Sequence, residues 1–210
     1  MKIDEFYCLN LVETRNRYQH CVEQFKKVNV DVKFWFTTRR PMMQKFGEQF
    51  DGFKTDDYVK FQRNNPFTFG AIFSCLFEHY SIVKQAYERG LNNIVIFEDD
   101  IKFLVDADDF HYCLDNIPND YSTCKFHHSW EECKTFDRSN LFIKDTNYYS
   151  CSTLSYAMSR FGMQQFIYAV ENERLLPADL MFCYIKNRYI NCSKICEPAG
   201  FVSSINTKMS

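Results

Sequence analysis

The 210-residue sequence lacks an excess of positive charge and lacks any long apolar run. Its 25 Lys and Arg stand against 27 Asp and Glu, giving a net charge of −2. This balance argues against nucleic acid as the main partner, because phosphate backbones are bound by a basic excess. No stretch approaches the roughly 20 apolar residues that cross a bilayer, and no apolar run follows a basic N-terminal start. These absences predict a cytoplasmic protein without a transmembrane segment.

The sequence also lacks the cysteine spacing of a disulfide scaffold or of a structural zinc site. Its ten Cys are scattered among apolar positions, as expected for reduced core residues. Cys192 and Cys196 form the one close pair along the chain, and no His or further Cys follows them at metal-ligand spacing. Aromatic residues are plentiful, with 22 Phe, and supply a large apolar core. We therefore expect one globular domain over residues 1–210.

A buried strand runs directly into three carboxylates, and the rest of the chain is interpreted around this stretch. Residues 94–97 are apolar and rich in β-branched types, as in strands of parallel sheets. Glu98, Asp99 and Asp100 follow without a spacer, and adjacent acids repel one another unless a cation or hydrogen-bond donors offset their charge. Ligands of open α/β sheets bind beyond the carboxyl ends of the strands. The stretch therefore predicts the edge of a metal and phosphate site, with a solvated acidic loop as the alternative.

The N-terminal segment predicts a strand over residues 6–11, a helix capped by Thr14 and a second strand over residues 32–36. This order is typical of a parallel pair joined by a crossover helix. The residues predicted for one face of the helix are Tyr18, Cys21, Val22, Phe25 and Val28. Arg15 and Arg17 fall at the helix start, where the dipole favours phosphate, and exposed surface arginines are the equal alternative.

The remaining patterns predict four helices: one over residues 68–89 ending at Gly90, a short one capped by Asp106 or Asp108, and two over 159–172 and 180–187. They also predict strands over 122–128, 147–159 and 188–195, and a charged loop over 131–145. His79 lies on the apolar stripe of the first of these helices and is interpreted as a hydrogen-bonded core residue. Asp179 follows Pro177 and is placed to cap the helix over 180–187.

Five short motifs occur in order along most of the chain. They are Cys8-Leu9-Asn10-Leu11 followed by Arg17, Ser74-Cys75-Leu76-Phe77-Glu78-His79, Ile96-Phe97-Glu98-Asp99-Asp100-Ile101, Tyr156-Ala157-Met158-Ser159 and Leu176-Pro177-Ala178-Asp179. Together they resemble the motifs of glycosyltransferase family 25, which includes lipopolysaccharide and collagen hydroxylysine galactosyltransferases. Ser74 and Glu78 depart from that pattern, because the family has Gly and Ser at those two positions.

The resemblance implies a GT-A-type fold, an α/β nucleotide-binding sandwich of Rossmann-like form with a mainly parallel central sheet. It implies a UDP-sugar donor and Mn²⁺ or Mg²⁺, and a hard divalent ion prefers carboxylate oxygens and bridges to diphosphate. Asp100 is the first choice of metal ligand, with Glu98 sharing the coordination. The donor-binding residues implied are Asn10, Leu11, Arg17, Glu98, Asp99, Ser155 and Tyr156.

The family also implies inverting transfer, which needs a carboxylate that removes a proton from the acceptor hydroxyl. The match to its Pro-x-Asp motif makes Asp179 the expected base. Residues 150–159 are expected to line the site of the donor sugar or the acceptor. The sugar is expected to be galactose or glucose, and the acceptor a saccharide, as in lipopolysaccharide biosynthesis, or a hydroxylysine-type group.

Two other classes of function compete with this one. A catalytically silent relative would bind a sugar or a partner protein and would tolerate neutral residues at Glu98 and Asp100. A metal-dependent phosphoesterase also uses carboxylates beyond a parallel strand. Such hydrolases usually recruit further Asp or His near the first strand, and Asn10-Leu11 supplies neither, so this class ranks last.

Overall fold

The computed structural model describes residues 2–37, 66–127, 136–146, 152–173 and 175–201, with residues 66–72 described by their backbone alone. In these ranges the chain is an α/β sandwich, with helices on both faces of a central sheet. The predicted α/β sandwich is thereby confirmed. The strands are β1 (Glu5–Leu11), β2 (Lys33–Thr37), β3 (Asn93–Glu98), β4 (Ile101–Phe103), β5 (Thr123–Lys125), β6 (Phe142–Lys144), β7 (Ser155–Ser159), β8 (Arg188–Asn191) and β9 (Cys196–Pro198).

The central sheet has the strand order β2-β1-β3-β7-β5-β8-β6 within the described residues. Strands β2, β1, β3, β5 and β8 run in one direction, while β7 and β6 run in the other. The predicted parallel pair is confirmed, because β1 pairs with β2 in parallel. The carboxyl ends of β1, β3 and β5 therefore meet the amino end of β7 at one edge of the sheet. Strand β4 leaves this sheet and pairs with β9.

Four helices agree closely with the helices predicted from the sequence pattern. They are α1 (Arg15–Lys27), α2 (Pro66–Glu88), α3 (Ala107–Asp115) and α4 (Arg160–Asn172). Asp106 caps α3 by accepting a hydrogen bond from the backbone N–H of Asp109, as predicted. Gly90 follows α2 with a φ of 79°, a left-handed conformation that favours glycine at a helix end.

Two helix-start predictions are wrong. Thr14 precedes α1 without capping it, because its hydroxyl donates to the carbonyl of Leu11 and to the carboxylate of Asp99 instead. Asp179 is not a cap either, since α5 (Ala178–Met181) begins after Pro177 and places Asp179 inside its first turn. The helix predicted over residues 180–187 is replaced by α5 and a 3-10 turn, Phe182–Tyr184.

Several strand predictions also change in extent. The strand predicted over 122–128 narrows to β5, and the strand predicted over 188–195 shortens to β8. Strand β9 begins just beyond that range and was not predicted. Strand β6, with the sequence Phe-Ile-Lys, lies in the segment predicted as a charged loop. The prediction over 147–159 survives as β7, and residues 147–151 lie outside the described part.

Two apolar clusters fill the layers of the sandwich. One lies between the sheet and helices α2, α4 and α5, and the other between the sheet and helices α1 and α3. The first cluster, called here the α2 layer, includes Tyr156 and Phe182; the second, called the α1 layer, includes Phe25 and Phe97. Tyr18 and Val22, predicted on the buried stripe of α1, are 36% and 43% exposed, so the buried face of α1 is narrower than predicted.

Candidate active site

The acidic triplet lies at the carboxyl end of β3, and its members point to different parts of the molecule. Phe97, the preceding residue, packs in the α1 layer. Successive side chains of a strand alternate between its faces, so Glu98 turns to the α2 layer and Asp99 to the α1 layer. Their hydrogen-bond partners agree, since Glu98 contacts α2 and Asp99 contacts α1. Asp100 follows at the turn before β4.

Asp99 is buried in a dense set of hydrogen bonds. Arg17 donates through Nη1 to Oδ1 at 2.6 Å, and both side chains are less than a tenth exposed. The other oxygen, Oδ2, accepts from Nδ2 of Asn10 at 3.3 Å, the N–H of Leu11 at 3.3 Å and the hydroxyl of Thr14 at 3.1 Å. Asp99 therefore joins the end of β1, the start of α1 and the end of β3.

The surface alternative for Arg17 is wrong, because only Arg15 is exposed. The structure brings four of the predicted donor-binding residues, Asn10, Leu11, Arg17 and Asp99, into one cluster. In this cluster they contact one another. Contact of these residues with a donor remains a prediction.

Glu98 accepts hydrogen bonds on its α2-layer side, all through Oε1. The hydroxyl of Thr153 donates at 2.5 Å, and Nε2 of His79 lies 3.2 Å away. Burial alone would raise the pKa of Glu98, but the bonds from His79 and Thr153 and the charge of His79 lower it below its usual value. Glu98 is therefore held as a carboxylate at the end of β3.

His79 is fully buried and connects Glu98 to Tyr156. Its Nδ1 lies 2.9 Å from the hydroxyl of Tyr156, which is itself fully buried. Burial holds the pKa of the Tyr156 phenol well above its ordinary value, with the charge of Glu98 adding to the effect. The prediction of a hydrogen-bonded core histidine is confirmed, and its partner places it beside the acidic triplet.

Asp100 differs from its two neighbours because one of its oxygens has no partner. Oδ1 is buried and accepts no hydrogen bond from any residue in the described ranges. Burial, together with the charges of Glu98 and Asp99, raises the pKa of Asp100 to about 6, against the opposing effect of Arg17. A buried carboxylate oxygen without a donor is unfavourable unless a cation approaches it. The residues at this position therefore fit a divalent ion with oxygen ligands.

Carboxylates from several elements surround the thiol of Cys75 on α2. Burial and the charges of Glu98, Asp179, Glu78 and Asp100 hold the pKa of Cys75 well above its ordinary value. Asp179, the expected base, thus lies close enough to act electrostatically on the same thiol as the acidic triplet. Asp179 makes no hydrogen bond to the triplet in the described residues.

Ser155 and Tyr156 lie at the amino end of β7, but neither opens onto a surface. Ser155 is 1% exposed and its hydroxyl lies beside the thiol of Cys196. Tyr156 meets Phe182 edge to face at 4.8 Å between ring centroids. Their donor-binding role also remains a prediction.

Sequence reasoning missed the roles of two residues, Glu78 and Cys75. Glu78 is buried and accepts from Nε1 of Trp35 at 2.7 Å and from the hydroxyl of Thr37 at 2.5 Å, so it ties α2 to the end of β2. Cys75 joins His79 and Glu98 in a cluster of potential metal ligands. The spacing of Cys75 and His79, four residues apart on one helix face, was the available signal. Thr153 lies in the segment predicted to line the site.

The central sheet, and the buried oxygen of Asp100 that has no partner among the described residues, define an α/β protein with a candidate cation site at the end of β3. The sequence comparison specifies the family. A family model described as "Glycosyltransferase family 25 (LPS biosynthesis protein)" matches residues 3–182, and the chain belongs to this family. The resemblance inferred from the five motifs is confirmed.

The relatives of this chain include one that is named as a galactosyltransferase and one that is named as inactive. A "Procollagen galactosyltransferase 1-A" of Xenopus laevis is 25% identical over 198 residues, covering 85% of this chain and 30% of the relative. A "Probable inactive glycosyltransferase 25 family member 3" of Rattus norvegicus is 28% identical over 130 residues, covering 56% of this chain and 21% of the relative. The chain spans less than a third of the length of these relatives.

Among solved structures, a crystal structure of A197 from STIV superposes with a TM-score of 0.52 at 10% identity. The match covers 97% of this chain and 87% of that one. At this identity the likeness concerns the fold alone. The structure also contains no helix, within its described ranges, with the length and apolar character needed to span a bilayer.

Proposed function

We propose that this chain is a metal-dependent inverting glycosyltransferase domain. It transfers a hexose, galactose or glucose, from a UDP-sugar to a saccharide or a hydroxylysine-type acceptor. The observation that carries the proposal is the buried Oδ1 of Asp100, which lacks a partner among the described residues at the carboxyl end of β3. Family membership supports the reaction class.

In this proposal the members of the acidic triplet have separate tasks. Asp100, with Glu98, holds Mn²⁺ or Mg²⁺. When bound, such an ion neutralises the diphosphate and stabilises the departing UDP. Asp99 fixes the ends of β1 and β3 through Arg17 and Leu11. The donor lies over this edge, with Asn10, Leu11 and Arg17 below it and Ser155 and Tyr156 in the wall.

Asp179 serves as the base that takes the proton from the acceptor hydroxyl as its oxygen attacks the anomeric carbon. Its position supports this role in two ways. It is half-buried on α5, and its charge raises the pKa of the Cys75 thiol, as do the charges of Glu98 and Asp100.

The test measures UDP release from a panel of UDP-sugars with Mn²⁺, with Mg²⁺ and with a chelator, using saccharide and hydroxylysine-peptide acceptors. Wild type is compared with Asp100→Asn, Asp179→Asn and the control Asp108→Asn, whose side chain is exposed on α3. We expect Asp100→Asn to abolish metal-dependent release. Asp179→Asn should lose transfer while keeping affinity for UDP and metal, and Asp108→Asn should behave as wild type.

A second function, a silent relative that binds a sugar or a protein, is supported by the inactive family member among the relatives. Binding of UDP and metal without turnover of any donor and acceptor pair identifies that function. Failure of wild type to bind both UDP and metal contradicts the proposed site.

A further inference from the structure

Three side chains of different chemistry converge beside the acidic triplet, and together they are called here the Cys75 cluster. Its members are Cys75 and His79 on α2 and Glu98 at the end of β3. The thiol sulfur, an imidazole nitrogen and a carboxylate oxygen all lie within 4.8 Å of one another. The arrangement follows from the fold, because residues four apart on a helix share one face and that face of α2 covers β3.

The distances suit a small tetrahedral ion. Zinc binds nitrogen and oxygen at about 2.0 Å and sulfur at about 2.3 Å, so tetrahedral ligand atoms lie about 3.3 to 3.5 Å apart. In the structure, Nε2 of His79 is 3.2 Å from Oε1 of Glu98, and Sγ of Cys75 is 4.0 Å from the same oxygen. The sulfur is thus the atom that would have to move closer, by about 0.5 Å, for an ion to be bound.

Hydrogen bonds from neighbouring residues hold two of the three ligands in place, as is usual at metal sites. A ligating His generally uses its other nitrogen for a hydrogen bond that fixes the ring. Nδ1 of His79 has such a partner in the buried hydroxyl of Tyr156, and Oε1 of Glu98 has one in Thr153. With an ion bound, Nδ1–H donates to the Tyr156 oxygen and Nε2 faces the ion.

The electrostatic setting also favours a cation. Four carboxylates, those of Glu98, Asp179, Glu78 and Asp100, act on the Cys75 thiol. A divalent ion offsets this concentration of negative charge, and it makes thiolate formation favourable where burial alone opposes it. The donor set then selects the metal, because thiolate and imidazole prefer zinc-type ions over Mg²⁺ or Mn²⁺.

We propose that Cys75, His79 and Glu98 form a binding site for a zinc-class transition-metal ion, separate from the oxygen-ligand site at Asp100. Three protein ligands leave the fourth position open for water or for an oxygen of a bound molecule. Glu98 offers Oε1 to this ion, and a carboxylate can offer its second oxygen to a neighbouring ion. The ion anchors Glu98 to α2, and this site requires neither a sugar nucleotide nor turnover.

The test uses Co²⁺ as a spectroscopic substitute for zinc, in the absence of UDP and of other metals. Tetrahedral Co²⁺ bound by a thiolate gives a sulfur-to-metal charge-transfer band and intense visible bands. We expect wild type to show both with one ion per chain, and excess Zn²⁺ but not Mg²⁺ to remove them. Cys75→Ser should lose the charge-transfer band, and Tyr156→Phe should weaken binding about 10-fold to 100-fold.

Cys192→Ser is the matched control and should keep the band, because Cys192 lies on the turn after β8. Asp100→Asn should also keep it, which separates this site from the one in the proposed function. Since Cys75→Ser can unfold the chain, a second measurement uses wild type: Zn²⁺ should protect Cys75, and not Cys192, from alkylation detected by peptide mass spectrometry. A purely octahedral Co²⁺ spectrum in Asp100→Asn, a band that persists in folded Cys75→Ser, or alkylation of Cys75 that proceeds at the same measurable rate with and without Zn²⁺ overturns the proposal.

Discussion

Arg17 and Asp99 form a buried ion pair between residues 82 positions apart in the sequence, with Nη1 and Oδ1 separated by 2.6 Å. The pair lies at the carboxyl end of β3, and it holds the start of α1 against the end of that strand. Its two charges are removed from water together, so each depends on the other. This dependence makes the pair a sensitive point for stability.

Arg17→Met should lower the free energy of unfolding by about 3 to 5 kcal/mol, because it leaves the buried Asp99 carboxylate without its cation. The double variant Arg17→Met with Asp99→Asn should recover part of that loss. Urea unfolding of the wild type, both single variants and the double variant measures the coupling. Additive losses would show that the two side chains do not interact.

Asp100→Asn should stabilise the metal-free protein at high pH. The pKa of Asp100 is raised from 3.8 to about 6 in the folded protein. As pH rises between these values, the unfolded chain ionises more readily than the folded one, so the free energy of unfolding falls. At about pH 8 the variant should gain about 3 kcal/mol, and at about pH 4 the gain should vanish. Urea unfolding with a chelator present measures it, with Asp108→Asn as the control. A gain that does not change with pH would contradict the buried charge.

Glu5→Gln should destabilise the protein near neutral pH and not in acid. Hydrogen bonds from Arg89, then Lys33, lower the pKa of Glu5 to about 2 from 4.5 despite some burial, so its stabilisation is complete above 4.5 and disappears as pH falls toward 2. Arg89 and Lys33 are 42% and 58% exposed, and water screens them, so we expect about 1 kcal/mol at about pH 7. Unfolding curves at about pH 7 and about pH 2.5 should show the difference shrink to a small fraction.

Gly162→Ala should destabilise the protein, although the same change inside most helices is favourable by about 1 kcal/mol. A Cβ at this position would stand 2.0 Å from the backbone oxygen of Ser122, which cannot move away easily. We expect a loss of about 3 kcal/mol from overpacking. Thermal unfolding measures it, and Gln164→Ala, on the exposed side of the same helix, should leave the melting temperature unchanged.

The elements predicted well are those whose burial dominates their sequence. Strand β3 is an unbroken apolar run, and α4 combines an apolar stripe with the cap residue Ser159, whose hydroxyl accepts from the N–H of Gly162. The acidic triplet was placed at the sheet edge for the same reason, since a strand buried on both faces ends where polar residues begin. These signals are local, so a single sequence contains them.

The features missed depend on contacts made by distant parts of the chain. The hydroxyl of Thr14 has the chemistry of a cap, but Asp99, 85 positions away, competes for it. Strand β6 has a mixed sequence and forms because β8 offers it a free edge. The role of His79 was likewise hidden, because an apolar stripe does not reveal that Glu98 and Tyr156 meet the ring from the sheet.

Because Glu98 and Asp99 point to opposite layers, the layer that each side chain enters depends on its register in β3. Deleting or inserting one residue within β3 would exchange the two side chains, turning a carboxylate meant for Arg17 toward His79 and the other toward α1. Exchanging the two residues, Glu98→Asp with Asp99→Glu, preserves composition and charge. It still changes the side-chain length by one methylene group on each face of the strand. Whether a substitution in this motif is tolerated should therefore depend on its position rather than on its charge. The number of acidic residues in a relative's motif says little about whether that relative retains the site.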